Sequence, residues 1–167
     1  MQEAGRPADT DAVITDKPGL CVCVKTADCI PVLLYDTRQR IVAAVHAGWR
    51  GTVARIVSKT IAQMRPVNPR DLHAIIGPGI SLQQFEVGEE VYDAFCAAAF
   101  PAERIAKRFG ERWHIDLWEA NHFLLEEQGV EDIFVQGVCT RSSEFYYSAR
   151  RETINTGRNY NGIFINP

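Results

Sequence analysis

Long apolar runs are missing from this 167-residue chain. Nowhere do twenty consecutive apolar residues occur, so no transmembrane helix is expected. Histidine is scarce: the four present, His46, His73, His114 and His122, form no His-x-His or His-x-x-x-His pair. That spacing excludes a helical zinc site and a copper cluster built from many histidines. No Cys-x-x-Cys pair occurs, and the cysteines number five, at 21, 23, 29, 96 and 139. Such a set makes neither a zinc knuckle nor a paired disulfide framework. An excess of positive charge is also absent. The net charge is −3 and the pI about 5.8, which gives no general attraction to nucleic acid or to an anionic membrane. Met1 to Thr10 lack the apolar stretch of a secretory signal, and a reducing cytoplasm is the expected setting. No repeat or low-complexity tract is visible, and the length suits one domain over residues 1–167 with a real core.

What is present is a mixture of short strands and helices. Residues 1–18 read as a polar loop or a fragment edge. Leu20 to Lys25 reads as a strand, with Cys21 and Cys23 expected to be buried thiols. Ile30 to Tyr35 and Ile41 to Val45 read as two strands joined by the turn Asp36 to Arg40. Pro31 suits the first position of its strand. Gly51 opens a helical stripe of Val53, Ile56, Val57, Thr60, Ile61 and Met64, ended by Pro66 and Pro69. Leu72 to Ile76 is a strand, and Gly77-Pro78-Gly79 a tight loop. Glu86 to Phe100 reads as a second helix, and residues 101–113 stay open. Asp116 reads as the N-cap of a third helix, Leu117 to Gln128, closed by Gly129. Ile133 to Gly137, Phe145 to Tyr147 and Gly162 to Ile165 read as strands. Adjacent strands mixed with helices point to an α+β fold with mixed sheets. An unpaired strand edge leaves room for a homodimer.

The chemistry concentrates in two places. Cys29 ends Thr26-Ala27-Asp28-Cys29, and His46 opens His46-Ala47-Gly48-Trp49-Arg50-Gly51. A hairpin of this length brings the thiol and the imidazole to one end of a sheet. Most lone cysteines and strand-end histidines are structural. Here both sit at strand mouths, where reactive groups are displayed. Together they suit either metal ligation or a nucleophile–base pair. Arg50 and the helix start after Gly51 add an anion-binding character. His73 and His122 read as structural or surface groups, and His114 as a cap or a cleft residue. Near the end, Tyr146-Tyr147-Ser148-Ala149-Arg150-Arg151 and Thr156-Gly157-Arg158 read equally as a solvated basic face or an anionic-substrate site.

Five segments occur in order: Thr26-Ala27-Asp28-Cys29-Ile30-Pro31-Val32-Leu33, Val45-His46-Ala47-Gly48-Trp49-Arg50-Gly51, Gly77-Pro78-Gly79-Ile80, Phe85-Glu86-Val87-Gly88 and Thr156-Gly157-Arg158. In these the chain resembles the YfiH/YlmD family, also called the multicopper polyphenol oxidase or laccase-domain family, from about Asp11 to Ile165. The resemblance implies a four-layer α/β/β/α fold, similar to the catalytic domain of CNF-type deamidating toxins. It implies zinc held by one cysteine and two histidines, with Cys29 and His46 matching the cysteine and the second histidine. It implies phosphorolysis of adenosine, inosine, guanosine or methylthioadenosine, and deamination of adenosine. The partners are then a purine nucleoside and phosphate. Asp28 or Glu86 is the expected proton carrier. Arg50, Arg150 and Arg158 are the expected phosphate ligands, with Tyr147 beside the base.

Two departures stand out. The family's first histidine lies in an upstream Val-His-Gly motif, and none of the 28 residues before Cys29 is histidine. The chain resembles a family member lacking its N-terminal third. Ser148-Ala149-Arg150-Arg151 also replaces the usual Ser-Tyr-Arg-Arg. Competing expectations are a copper-dependent phenol oxidase, a metal-free thiol hydrolase using Cys29 and His46, and an inactive fragment.

Overall fold

The computed structural model describes residues 10–64 and 67–167; the helix stop expected at Pro66 and the N-terminal residues 1–9 lie outside the described residues. Strand β1 (Ala12–Thr15) is followed by β2 (Val22–Thr26), β3 (Ile30–Asp36) and β4 (Ile41–Ala47). Helices α1 (Trp49–Val53) and α2 (Ile56–Gln63) lead to β5 (His73–Ile76). Next come β6 (Glu86–Val87), α3 (Glu89–Ala97), α4 (Ala102–Ile105), β7 (Ala106–Phe109) and β8 (Arg112–Ile115). Helix α5 (Leu117–Glu127), β9 (Asp132–Val135) and β10 (Asn159–Ile163) complete the order.

The largest sheet has five strands in the order β1-β4-β3-β5-β9. Its pairs are antiparallel except β5 with β9. A two-stranded sheet pairs β10 with β2, and a three-stranded sheet runs β6-β8-β7. The alternation along β4 shows how the layers form. Ala43, Val45 and Ala47 join Val57 and Ile61 of α2 and Leu124 and Leu125 of α5 in the main core. Val42 and Ala44 turn the other way and pack on Val22 and Val24 of β2. A period of two with both faces apolar is what a central strand covered on both sides requires.

Several expectations are corrected. Residues 1–18 are not all loop, because Ala12–Thr15 pairs with Val42–Val45 of β4. Cys21 and Cys23 are exposed: on β2 the valines take the inward positions and leave the thiols outside. The stripe after Gly51 is two helices, and the first starts at Trp49. Arg55 breaks it with a left-handed backbone (φ 58°). Its guanidinium bonds Glu127 and the Ala98 carbonyl, which fixes the kink against α5. Glu86 and Val87 are a strand paired to His114 and Trp113, so the second helix begins only after Gly88 and ends at Ala97. His114 is therefore a strand residue and not a cap. Phe145 to Tyr147 form no strand. Arg151 instead gathers the carbonyls of Thr140, Arg141, Ser143 and Tyr146 into a turn-rich loop. The cap of the third helix is as expected: the Asp116 carboxylate accepts the Glu119 N–H at 3.0 Å. No helix among the described residues is long and apolar enough to cross a membrane.

Candidate active site

The hairpin of β3 and β4 sets the register that makes the site. Ile30 lies opposite Ala47 and Pro31 opposite His46, so Cys29 and His46 emerge at the same end of the sheet. Gly48 closes the space between them. A Cβ at that position would lie 3.1 Å from Cys29 Sγ and 3.9 Å from His46 Cε1. Glycine is needed there because the backbone itself runs against the thiol. The His46 Nδ1–H donates to Asp11 Oδ1 at 2.9 Å, a carboxylate being only an acceptor. The neighbouring Cys29 thiol, acting through a hydrogen bond, pushes the His46 pKa up to about 9; burial opposes this and Asp11 adds to it.

Asp28 sits beside Cys29 but faces elsewhere. It is buried, with φ 89°, and its carboxylate accepts Thr140 Oγ1–H and Arg150 N–H, each at 2.7 Å. Arg150 in turn donates from Nη1 to the Glu86 carbonyl at 3.0 Å and lies over the Phe85 ring. The Glu86 side chain is exposed and lies 3.8 Å from Arg112. Arg50 is exposed and stacks over Trp49, 4.3 Å from the ring centre. Arg158 donates to the carbonyls of Ile154, Thr156 and Gly157, so it braces its own loop. Tyr147 lies against Gly157, whose absent Cβ leaves room for the ring.

A cavity of about 670 Å³ adjoins His46, and Cys29 is not in its wall. Its wall contains Asp11, Cys23, Lys25, His46, Thr156 and Arg158. Of the expected site residues, the structure therefore brings His46 and Arg158 to one cavity. Asp28 and Arg150 form a linked group behind Cys29. Glu86 lies beyond Arg150, while Arg50 lies on the helix after the histidine loop. Sequence reasoning passed over Asp11 and Lys25. Lys25 was legible in part, because it alternates with Cys23 and shares that strand's outer face. Asp11 had no signal, since its partner lies 35 positions away.

The donor types, a thiol and an imidazole, suit zinc, and a carboxylate behind the histidine suits its orientation. The number does not. Among the described residues no three His, Cys, Asp or Glu side chains gather to hold a metal. Two donors do not make a catalytic zinc site, which takes three protein ligands and a water. The other histidines are engaged apart from the pair: His73 with Asp132, His114 with the Leu82 carbonyl and His122 with Glu126.

The arrangement has relatives. Residues 1–166 match the family described as multi-copper polyphenol oxidoreductase laccase. A purine nucleoside phosphorylase of Bacteroides thetaiotaomicron is 47% identical over 163 residues, covering 93% of this chain and 60% of that protein. Adenosine deaminase RL5, from an unknown prokaryotic organism, is 40% identical over 161 residues, covering 92% of this chain and 62% of that one. The crystal structure of YlmD from Geobacillus stearothermophilus superposes with a TM-score of 0.88 at 30% identity, over 94% of this chain and 61% of that one. The chain thus spans about three fifths of the length of these relatives. With the Cys29–His46 hairpin in the same fold, the chain belongs to the YfiH/YlmD family, the multi-copper polyphenol oxidoreductase laccase family.

Proposed function

We propose that this chain carries the active site of a purine nucleoside phosphorylase that also deaminates adenosine. The observation that supports this most is the cavity that sets His46 beside Lys25, Thr156 and Arg158. With its pKa at about 9, His46 is cationic at neutral pH. An imidazolium, an ammonium and a guanidinium against the single Asp11 carboxylate leave the cavity wall net cationic, which suits a phosphate dianion. The names of the relatives, purine nucleoside phosphorylase and adenosine deaminase, agree with that chemistry.

In phosphorolysis a phosphate oxygen attacks C1′ of the ribose. The C1′–N9 bond breaks, and its electron pair passes to the purine, which must gain a proton. Lys25 holds the phosphate, with Arg158 bracing the wall. His46, kept protonated on Nε2 by the neighbouring Cys29 while Nδ1–H is held by Asp11, supplies the proton to the departing base. Adenosine, inosine, guanosine and methylthioadenosine share the ribose and purine that this scheme requires. In deamination water attacks C6 and ammonia leaves, and the Cys29–His46 pair carries the proton between them. Zinc would draw on the same pair: Cys29 and His46 Nε2 would give two of the three protein ligands it takes, and a metal-bound His46 would be neutral, so the acid role above belongs to the metal-free site. The four-layer α/β/β/α arrangement belongs to the same reading, supported by helices on one face of the five-stranded sheet and β2 with β10 on the other.

The test is hypoxanthine release from inosine, with and without inorganic phosphate. Phosphate-dependent release is expected, falling by about 100-fold or more in Cys29→Ala, a size usual for loss of a group acting on the proton or the nucleophile. Release at the parent rate by the Cys29→Ala protein would overturn the assignment.

A further inference from the structure

Asp28 is a buried residue that bonds three separate loops around Cys29, two through its carboxylate and one through its main-chain carbonyl. Its side chain accepts Thr140 Oγ1–H and Arg150 N–H, both at 2.7 Å. Its carbonyl accepts Ile80 N–H at 2.9 Å. The same loops are tied to each other: Thr140 N–H reaches the Gly79 carbonyl at 2.9 Å, and Arg151 Nη1 reaches the Thr140 carbonyl at 3.0 Å. Gly79 sits so close that a Cβ there would meet the Asp28 carbonyl at 3.0 Å. The backbone of Asp28 itself is left-handed, at φ 89°, a conformation that aspartate and asparagine tolerate better than other L residues.

We propose that Asp28 is a positioning residue: it sets the backbone from which Cys29 projects and locks the loops at 77–81, 138–140 and 148–151 to it. This rests on the reading of Cys29 as a catalytic group. The alternative, that Asp28 carries the proton, conflicts with its surroundings. Each carboxylate oxygen already accepts a short hydrogen bond, and only 8% of the residue is exposed. A proton carrier needs an oxygen that reaches the substrate. The Asp28 oxygens reach Thr140 and the main chain of Arg150, and Arg150 passes the restraint onward through Nη1 to the Glu86 carbonyl. Non-glycine residues held at positive φ gather at functional sites, where the surrounding structure over-determines them.

Asparagine separates the two roles. In Asp28→Asn the amide oxygen still accepts Arg150 N–H. The amide nitrogen donates to Thr140 Oγ1, whose hydroxyl turns to accept. Asparagine also keeps the left-handed backbone. Only the charge and the ability to carry a proton are lost.

The experiment compares the full chain with Asp28→Asn, Asp28→Ala and Thr140→Val. Two readouts are used: kcat and KM for inosine phosphorolysis, and the rate of Cys29 alkylation by iodoacetamide, followed by peptide mass spectrometry. Asp28→Asn should stay within about threefold of the parent in both. Asp28→Ala should lose at least about tenfold in kcat with a smaller change in KM, as misplacement of a reacting group does. Its Cys29 alkylation rate should shift by several-fold, and Thr140→Val should move both readouts in the same direction by less. If Asp28→Ala fails to fold, Asp28→Asn and Thr140→Val decide. An Asp28→Asn protein that folds but has lost activity makes Asp28 a proton carrier and overturns the proposal. Parent-like behaviour of Thr140→Val in both readouts overturns it too. Should the parent show no phosphorolysis, the functional reading fails by itself, and the alkylation rates still test the positioning role.

Discussion

Asp11 Oδ1 lies 2.9 Å from His46 Nδ1, across the register that pairs β1 with β4. The strand brings a carboxylate to the one ring nitrogen that then carries a fixed proton, and Nε2 is left as the nitrogen that titrates. Its pKa of about 9 follows first from the Cys29 thiol and then from Asp11, against the effect of burial. The residue that enters the first strand is thus part of the site through two hydrogen bonds, since the His46 N–H also donates to the Asp11 carbonyl at 2.7 Å.

That raised pKa has a signed consequence for stability. The folded protein holds the His46 proton more tightly than a free imidazole of pKa 6.5. The stabilising contribution is full below pH 6.5 and is lost as pH rises through about 9. Urea denaturation in chelator should show the parent losing its advantage over His46→Gln across that window. A difference between the two proteins that is constant from pH 6 to about pH 9.5 would contradict it.

In the proposed reaction Lys25, in the cavity wall, binds the anion and takes no part in the bond-breaking step. Lys25→Ala should raise the KM for phosphate by about tenfold, roughly 1.4 kcal/mol, with kcat changed far less. Steady-state rates at varied phosphate measure both. The reverse pattern, a fall in kcat at constant KM, would move Lys25 into the chemical step.

Two glycines near the pair should fail in different ways. Gly48→Ala places a Cβ 3.1 Å from Cys29 Sγ, so activity should drop while the melting temperature changes little. Gly79→Ala places one 2.2 Å from Ile30 Cδ1 and 3.0 Å from the Asp28 carbonyl, so the core must shift. Overpacking of that kind costs about 1–3 kcal/mol. Thermal unfolding and the inosine assay, run on both variants, separate the two effects.

Asp116 caps α5 through the Glu119 N–H, while burial pushes its pKa up. Its ionised form is therefore disfavoured in the fold, and the cap bond is what offsets that. Asp116→Ala should cost about 1 kcal/mol, the usual value of a lost N-cap. Asp116→Asn keeps the acceptor without the charge and should match the parent at neutral pH. Chemical denaturation of the two variants checks the order.

Much of the fold was legible because strands β3 and β4 are short, apolar and bounded by a polar turn, and because Asp116 and Gly129 punctuate α5. Where the reading failed, a distant partner decided the local state. Glu86 and Val87 have helical neighbours but pair with β8. Arg55 belongs to a helical stripe but is pulled out of it by Glu127 and Ala98. Cys21 and Cys23 lie outside because β2 packs only its valines on β4. Each case is a tertiary contact overriding a local preference.

The sequence alone determined that Cys29 and His46 meet, since the length of one hairpin and the period of its strands leave little other choice. It also carried the family, through motifs that span the chain. The tertiary structure decided what surrounds the pair. Asp11 reaches His46 from another strand, Lys25 and Arg158 enter the same cavity from opposite ends of the chain, and Asp28 turns its carboxylate away from the thiol toward Thr140 and Arg150. These are long-range placements, set by sheet register and loop packing, and no local pattern of residues encodes them.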